Sequence, residues 1–304
     1  MVLRASLVSL TFLGVLGTPQ TQTAPPGEMS TPYRFSTSVD LVTLNITVRD
    51  RKGWFAPDLV QANFAIFEDG RPQAIQLFRH EDIPVAVGLV VDHSGSMASK
   101  LSEVIAAAKT FVASSRPDDG MFVVNFNDDV TLEKSNQLDQ LSRSLLSRPT
   151  LGKTALYDGV LKALNHIRTD ALQKKVLIVI SDGGDNASSH KLADVLAAVE
   201  ESNVLVYTIG VFAEDDPDQN KDVLRRLAHV SGAEAFFPNQ LSEVVSICEH
   251  IARDIRNQYV VGYVSTNIAK SGVYRSIRLS VRGEGKGRLV ARTRSGYISG
   301  ETAK

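Results

Sequence analysis

Val85-Ala86-Val87-Gly88-Leu89-Val90-Val91 is an unbroken apolar run, and Asp92-His93-Ser94-Gly95-Ser96-Met97 follows it without a spacer. A short, β-branched apolar run bounded by turn residues reads as a strand buried on both faces, the kind found in parallel sheets. Val176-Leu177-Ile178-Val179-Ile180-Ser181 has the same character and also ends on an acid, Asp182. Around these runs the pattern alternates between strand and helical periodicity. Helices are expected at 100–114, 138–146, 155–169, 191–201, 218–230 and 241–255, and strands at 85–92, 121–127, 130–132, 175–181, 204–210 and 233–237. That alternation predicts an α/β domain with a doubly wound, mostly parallel sheet and helices on both faces.

In such sheets ligands bind where the strands end at their carboxyl side. Asp92, Ser94 and Ser96 stand there, Asp182 stands at the end of the second run, and Thr154 lies in the loop Gly152-Lys153-Thr154-Ala155. Two carboxylates and three hydroxyls form a hard oxygen set. Mg²⁺ suits it, because that ion takes octahedral oxygen ligation from one or two carboxylates and keeps part of its water shell; Mn²⁺ fits the same set and Ca²⁺ less well. Neutral hydroxyls complete the shell without quenching the ion's charge, and if Asp92 or Asp182 acts through water an open face remains for an external carboxylate. The chemistry expected is binding rather than catalysis.

Asp-x-Ser-x-Ser at a strand end, a Thr in a later loop and an Asp after a later strand resemble the metal-ion-dependent adhesion site of von Willebrand factor A domains. All five positions are filled here, by Asp92, Ser94, Ser96, Thr154 and Asp182. The flanks are similar to those of exported bacterial proteins in a von Willebrand factor A-related group first noted in Acidobacteria. The fragments that carry this are Phe67-Glu68-Asp69-Gly70 with Phe78, Gln258-Tyr259-Val260-Val261-Gly262-Tyr263, and Arg294-Ser295-Gly296-Tyr297. The resemblance implies a metal-dependent adhesion module whose partner is a protein presenting a carboxylate. It also implies that the final helix, 241–255, is the element that would shift in members that switch. A structural or assembly subunit that docks constitutively on an envelope partner is the competing class.

Residues 1–18 carry one early charge, Arg4, and an apolar stretch from Ala5 to Gly17, the plan of a cleavable secretory signal. That stretch falls short of the roughly 20 residues a membrane-spanning helix needs. A soluble protein in the periplasm or outside the cell is therefore expected, with no stable membrane insertion after cleavage. Residues 19–31, rich in Pro, Thr and Gln, read as a disordered spacer. Residues 32–82 and 257–304 both read as β. Neither flank has enough strands to stand alone, so the two are expected to pair into a discontinuous β-sandwich with the α/β domain, 83–256, inserted between them. The expected strands include 64–70 and 73–78 around an Asp-Gly turn, then 259–264, 273–281 and 288–294.

Other chemistries fit poorly. Gly152-Lys153-Thr154 imitates the end of a phosphate-binding loop, but that motif needs a glycine where Ser147 stands. An aspartyl-phosphate enzyme wants an acid where Ser94 stands, and a serine hydrolase wants a Gly-x-Ser-x-Gly elbow that is absent. The six histidines show no metal-ligand spacing, and most are expected on surfaces or helices. A formal charge of -1 with no basic tract argues against nucleic acid. Cys248, the single cysteine, reads as a small buried helix residue. Asp158 is expected to charge the start of the helix after Thr154, while Asp185 and Asn186 are placed to support Asp182.

Overall fold

The computed structural model describes residues 41–300 apart from 81, 135–139, 141–142, 146–148, 213–217, 268–271 and 286. The expected signal and spacer lie outside the described residues, as does most of the expected helix 138–146. The central sheet is built on β5 (Val85–Asp92), whose residues are all buried. Next to it on one side lie β6 (Gly120–Phe126) and β7 (Val130–Lys134), and on the other β8 (Lys174–Ser181), β9 (Leu205–Gly210) and β10 (Ala235–Phe236). The order is β10-β9-β8-β5-β6-β7, parallel throughout except for β7.

Strand pleating sends alternate side chains to opposite faces, and each face acquires its own helical cover. Val85, Val87, Leu89 and Val91 pack with α1 (Leu101–Ala113) and the last helix, α5 (Glu243–Arg256). Ala86 and Val90 pack with α2 (Leu156–Arg168), α3 (Leu192–Glu201) and α4 (Lys221–Ser231). Each fully buried Val or Leu contributes roughly 1.5–3 kcal/mol relative to exposure. Gly88 is the exception in β5 for a steric reason: a Cβ there would lie 2.3 Å from the Phe122 ring and 2.6 Å from Leu177. Cys248 is buried in the first layer and its thiol is pushed up to about 12 by burial, as expected of an inert packing residue.

The flanks pair across the inserted domain. β1 (Leu41–Arg49) lies between β11 (Tyr259–Val264) and β13 (Val290–Arg292), and β4 (Ile75–Arg79) completes that sheet in the order β13-β1-β11-β4. The facing sheet runs β14-β12-β2-β3, from β14 (Gly296–Ile298), β12 (Tyr274–Val281), β2 (Phe64–Glu68) and β3 (Arg71–Gln73). Leu44, Ile46, Ile66, Val261 and Tyr259 fill the space between the sheets.

Two expectations need correction. The strand expected at 73–78 is two strands: β3 pairs with β2 across the Asp69-Gly70 turn, and at Ala74 the chain crosses to β4 in the other sheet. The strand expected at 288–294 is shortened to β13, and β14 follows it unannounced.

The quoted flank fragments converge on one carboxylate. Glu68, buried, accepts from Tyr263 Oη at 2.8 Å, Tyr297 Oη at 2.8 Å and Ser265 Oγ at 2.5 Å, and pairs with Arg275 at 3.3 Å. Burial and the Glu68 charge push the Tyr263 phenol far up, so it remains a donor. A buried carboxylate is tolerated only when hydrogen-bonded and paired in this way.

Candidate metal centre

β5 and β8 are neighbours, and the chain leaves them toward opposite edges of the sheet, which makes the crevice above them the switch point where α/β sheets bind ligands. Asp92 ends β5 and is fully buried. Its Oδ1 accepts from the Ser94 amide at 2.8 Å, folding the chain back over the strand end, and its Oδ2 accepts from Ser181 Oγ at 2.6 Å across the strand boundary. Ser94 and Ser96 hydroxyls lie 3.1 Å apart, and Ser96 Oγ donates to Asp182 Oδ2 at 2.5 Å. One hydrogen-bonded path therefore runs from Asp92 through Ser94 and Ser96 to Asp182. Burial pushes the Asp92 carboxyl up to about 6; bonds from Ser181 and Ser94 oppose the rise and the nearby Asp182 charge adds to it.

Thr154 is brought alongside by backbone bonds. Leu151 N donates to His93 O at 3.1 Å and Gly95 N to Gly152 O at 3.2 Å, tying its loop to the one after β5. On its other side Thr154 N donates to Asn186 Oδ1 at 2.9 Å, while Asn186 N and Ala187 N donate to Thr154 O. Gly152 permits this path. Its φ is +83°, and a Cβ there would lie 1.9 Å from Asp128 Oδ2. Asp128 itself accepts from the Lys153 amide at 2.9 Å, so it shapes the loop.

The expectations for neighbouring residues divide. Asn186, expected beside Asp182, accepts from the Thr154 amide instead. Asp158 stands in the first turn of α2, as expected, and there also gathers Ser189 and His190, accepting from both amides and both side chains. Asp185 reaches the same helix start, accepting from the Tyr157 amide at 2.9 Å. His93 is wholly buried, with Nε2 3.1 Å from Asn125 Oδ1, the exception among histidines that otherwise lie on surfaces or helices as expected. Adjacent apolar and polar signals at a strand end could have warned of this.

A second cluster escaped the sequence reading. Glu234, His250 and Asp254 place ligand-type atoms within 4.8 Å of one another at the opposite end of the sheet. The i,i+4 spacing of His250 and Asp254 on α5 was visible, but Glu234 was not connectable to it. The cluster fits a metal poorly because a cation already stands there. Arg49 pairs with Glu234 at 2.8 Å and with Asp254, and Arg292 also pairs with Glu234. Burial raises Asp254, with Arg49 opposing, and burial lowers His250.

Known proteins share this fold. A family model described as the von Willebrand factor type A domain matches residues 87–249. The mouse inter-alpha-trypsin inhibitor heavy chain H2 is 26% identical over 167 residues, which is 49% of this chain and 17% of that protein. The chain thus spans less than a fifth of that curated relative. Among solved structures, a von Willebrand factor type A protein from Catenulispora acidiphila superposes with a TM-score of 0.50 at 14% identity, covering 78% of this chain and 73% of its own. The vWF domain of the type V pili tip protein Mfa5 from Porphyromonas gingivalis also gives 0.50 at 14% identity, over 57% of this chain and 95% of its own. Proximal thread matrix protein 1 from the mussel byssus, solved with a zinc-occupied MIDAS motif, gives 0.51 at 17% identity, over 63% and 50%. At these identities the structures speak for the fold alone.

Proposed function

The chain belongs to the von Willebrand factor type A family, and from that premise we propose that it is a binding module that captures a carboxylate of a protein partner through a divalent cation held by Asp92, Ser94, Ser96, Thr154 and Asp182. The observation that carries the reading is the hydrogen-bonded path at the switch point of the sheet from Asp92, through the Ser94 amide and the Ser94 and Ser96 hydroxyls, to Asp182. Its donor set is hard oxygen throughout, with two carboxylates and neutral hydroxyls, the chemistry that Mg²⁺ and Mn²⁺ take. When bound, the cation supplies an electrophilic face for the partner's carboxylate.

The protein's own part is positioning. Asp92 orients Ser94 through its amide, Ser181 fixes Asp92, and Asn186 clamps the Thr154 backbone, so that the oxygens are arranged before an ion arrives. Pre-arrangement of this kind lowers the cost of ordering on binding. The mussel protein carries zinc at its motif, which adds zinc to the ions worth testing. No helix among the described residues is long and apolar enough to cross a membrane. The apolar stretch from Ala5 to Gly17 behind Arg4 is what supports a role outside the cytoplasm, in the periplasm or beyond the cell.

Calorimetric titration of the metal-free full chain with Mg²⁺ and Mn²⁺ tests the site. One ion should bind, and Asp92→Ala should abolish binding while the fold persists; a variant that binds as the parent does overturns the assignment. A pull-down from the cell envelope with and without chelator then tests the capture. A partner retained equally in chelator identifies constitutive docking instead.

A further inference from the structure

A cleft of about 630 Å³ lies between α4 with the turn after it and the strands β12 and β13, far from the residues of the metal centre in sequence and in fold. Its lining carries Arg225, Arg278, Arg292 and Arg294 with Glu234 the one acid; Arg225 also pairs with the exposed Asp222 at 3.0 Å, and Arg294 donates inward to the Thr43 carbonyl at 3.0 Å. The chain as a whole carries a formal charge of -1, so this is a local excess. Glu234 offsets only part of it, since that carboxylate is shared between Arg292 and Arg49, which reaches it from behind the cleft. Guanidinium groups favour planar oxyanions, which they meet with two parallel hydrogen bonds.

Strand geometry on the same wall narrows the ligand. β12 pairs with β2 from Ile277 to Val281, but with β14 only from Tyr274 to Ser276. Ile277 N makes a last bond to Ser295 O at 2.7 Å, after which the chain from Ser295 back to Val290 leaves β12 and joins β1 in the other sheet. Backbone groups alternate sides along a strand, so those of Leu279 point the same way as those of Ile277. Beyond Ile277 no strand pairs with that side of β12 among the described residues. β13 is likewise an end strand of its sheet. The cleft thus combines an open strand edge with a basic lining. An open edge is a template for a further strand.

We propose that this cleft binds an acidic peptide segment in extended form, its backbone pairing with the edge of β12 and its carboxylates meeting the arginines. The site shares no residue with the metal centre, so it gives the protein a second, metal-independent means of holding a partner.

The test uses the full chain in chelator, which removes capture by a metal, and a fluorescein-labelled eight-residue peptide alternating glutamate and valine. Saturable binding is expected, and it should weaken at least tenfold in Arg225→Glu/Arg278→Glu, whose side chains are exposed and tolerate change. Methylation of alternate peptide amides, which leaves the charge unchanged, should abolish binding on the unaltered protein. Equal binding of the methylated peptide would show attraction by charge alone and overturn the strand-pairing proposal. Absence of saturable binding, or an undiminished affinity in the double variant, overturns the site.

Discussion

At the crest of the parallel sheet, Asp92 and Asp182 are joined through serine hydroxyls and backbone amides, whereas at its foot carboxylates meet guanidinium groups. There Arg256 pairs with Asp82 at 3.3 Å and with Asp119, Asp119 also accepts from the Val85 amide at 3.0 Å, and Arg49 bridges Glu234 and Asp254. Lys174 Nζ donates to Ile255 O at 2.5 Å, closing the end of α5. Burial alone would raise Asp119, but Arg256 and two amides more than cancel it and hold the carboxyl below its ordinary range. Asp92, without such a partner, stands at about 6. The contrast separates two uses of buried charge. At the foot it is neutralised internally and fastens the inserted domain to the sandwich; at the crest it is held by hydroxyls and amides, the arrangement that the proposed metal capture calls for.

The strongest challenge to this contrast is to remove one half of the sandwich. Deleting residues 257–304 should leave β1 without either of its strand neighbours and β2 without β12, so their amides should exchange at nearly unfolded rates. Retained protection in β1 would show that the flanks are independent. Arg49→Met comes next. It strands Asp254, 5% exposed, and should cost about 3–5 kcal/mol, the range for breaking a buried pair, as read from urea unfolding. A loss below ~1 kcal/mol would mean that the cluster is wet.

A pH series sharpens the picture at the foot. Burial lowers Lys174 from 10.5 to about 8, so between those values the unfolded chain holds a proton that the folded one has shed. Stability contributed by this residue therefore rises with pH through that window, by roughly 3 kcal/mol when taken at 1.36 kcal/mol per unit. Below pH 8 both states are charged and the burial cost is present in full. The stability of the parent relative to Lys174→Met should accordingly improve between pH 8 and 10.5, and a flat difference would place the ammonium in water.

Substitutions at the crest should behave in the opposite manner. Thr154→Ala should weaken metal-dependent capture at least tenfold while shifting stability by less than ~1 kcal/mol, because α2 is capped by Asp185. Equal losses would make Thr154 a structural residue. The smallest effect concerns communication between the two ends. With α5 fastened by Arg256, Asp254 and Lys174, adding metal should leave hydrogen exchange in 248–256 unchanged. Faster exchange on metal addition would revive the shifting final helix that the family resemblance implies.

How far the sequence could be read follows from the reach of each interaction. β5 and β8 announce themselves because a doubly covered strand is apolar at every position, and the oxygens that follow them need only their neighbours to be placed. The two-sheet flank was legible from the arithmetic of too few strands on either side. The crossing at Ala74 was not, since period-two alternation continues through it and only the competition of two sheets divides the run. β14 was hidden for a similar reason: Gly296, Tyr297 and Ile298 become a strand by pairing with Tyr274 to Ser276. Arg49 looked like an ordinary strand-end charge because its partners lie 185 and 205 residues away. Asp158 at the helix start was legible from its place in the run, whereas the arrival of Asp185 at the same helix start turned on how one loop folds back over it, which spacing does not encode.

The Glu68 network sets a schedule for the chain as it is made. Glu68 lies 195 residues before Tyr263 and 229 before Tyr297. At about 5–20 residues per second, the first strands wait roughly 10–40 s for the hydroxyls that complete their buried carboxylate, while the domain between them has time to fold. During that interval Val42, Leu44 and Ile46 lack the strands that cover them in the finished protein, and unpaired apolar strands are prone to wrong partners. Substitutions at Tyr263 or Tyr297 should therefore lower the yield of folded protein more than they lower the stability of the molecules that succeed.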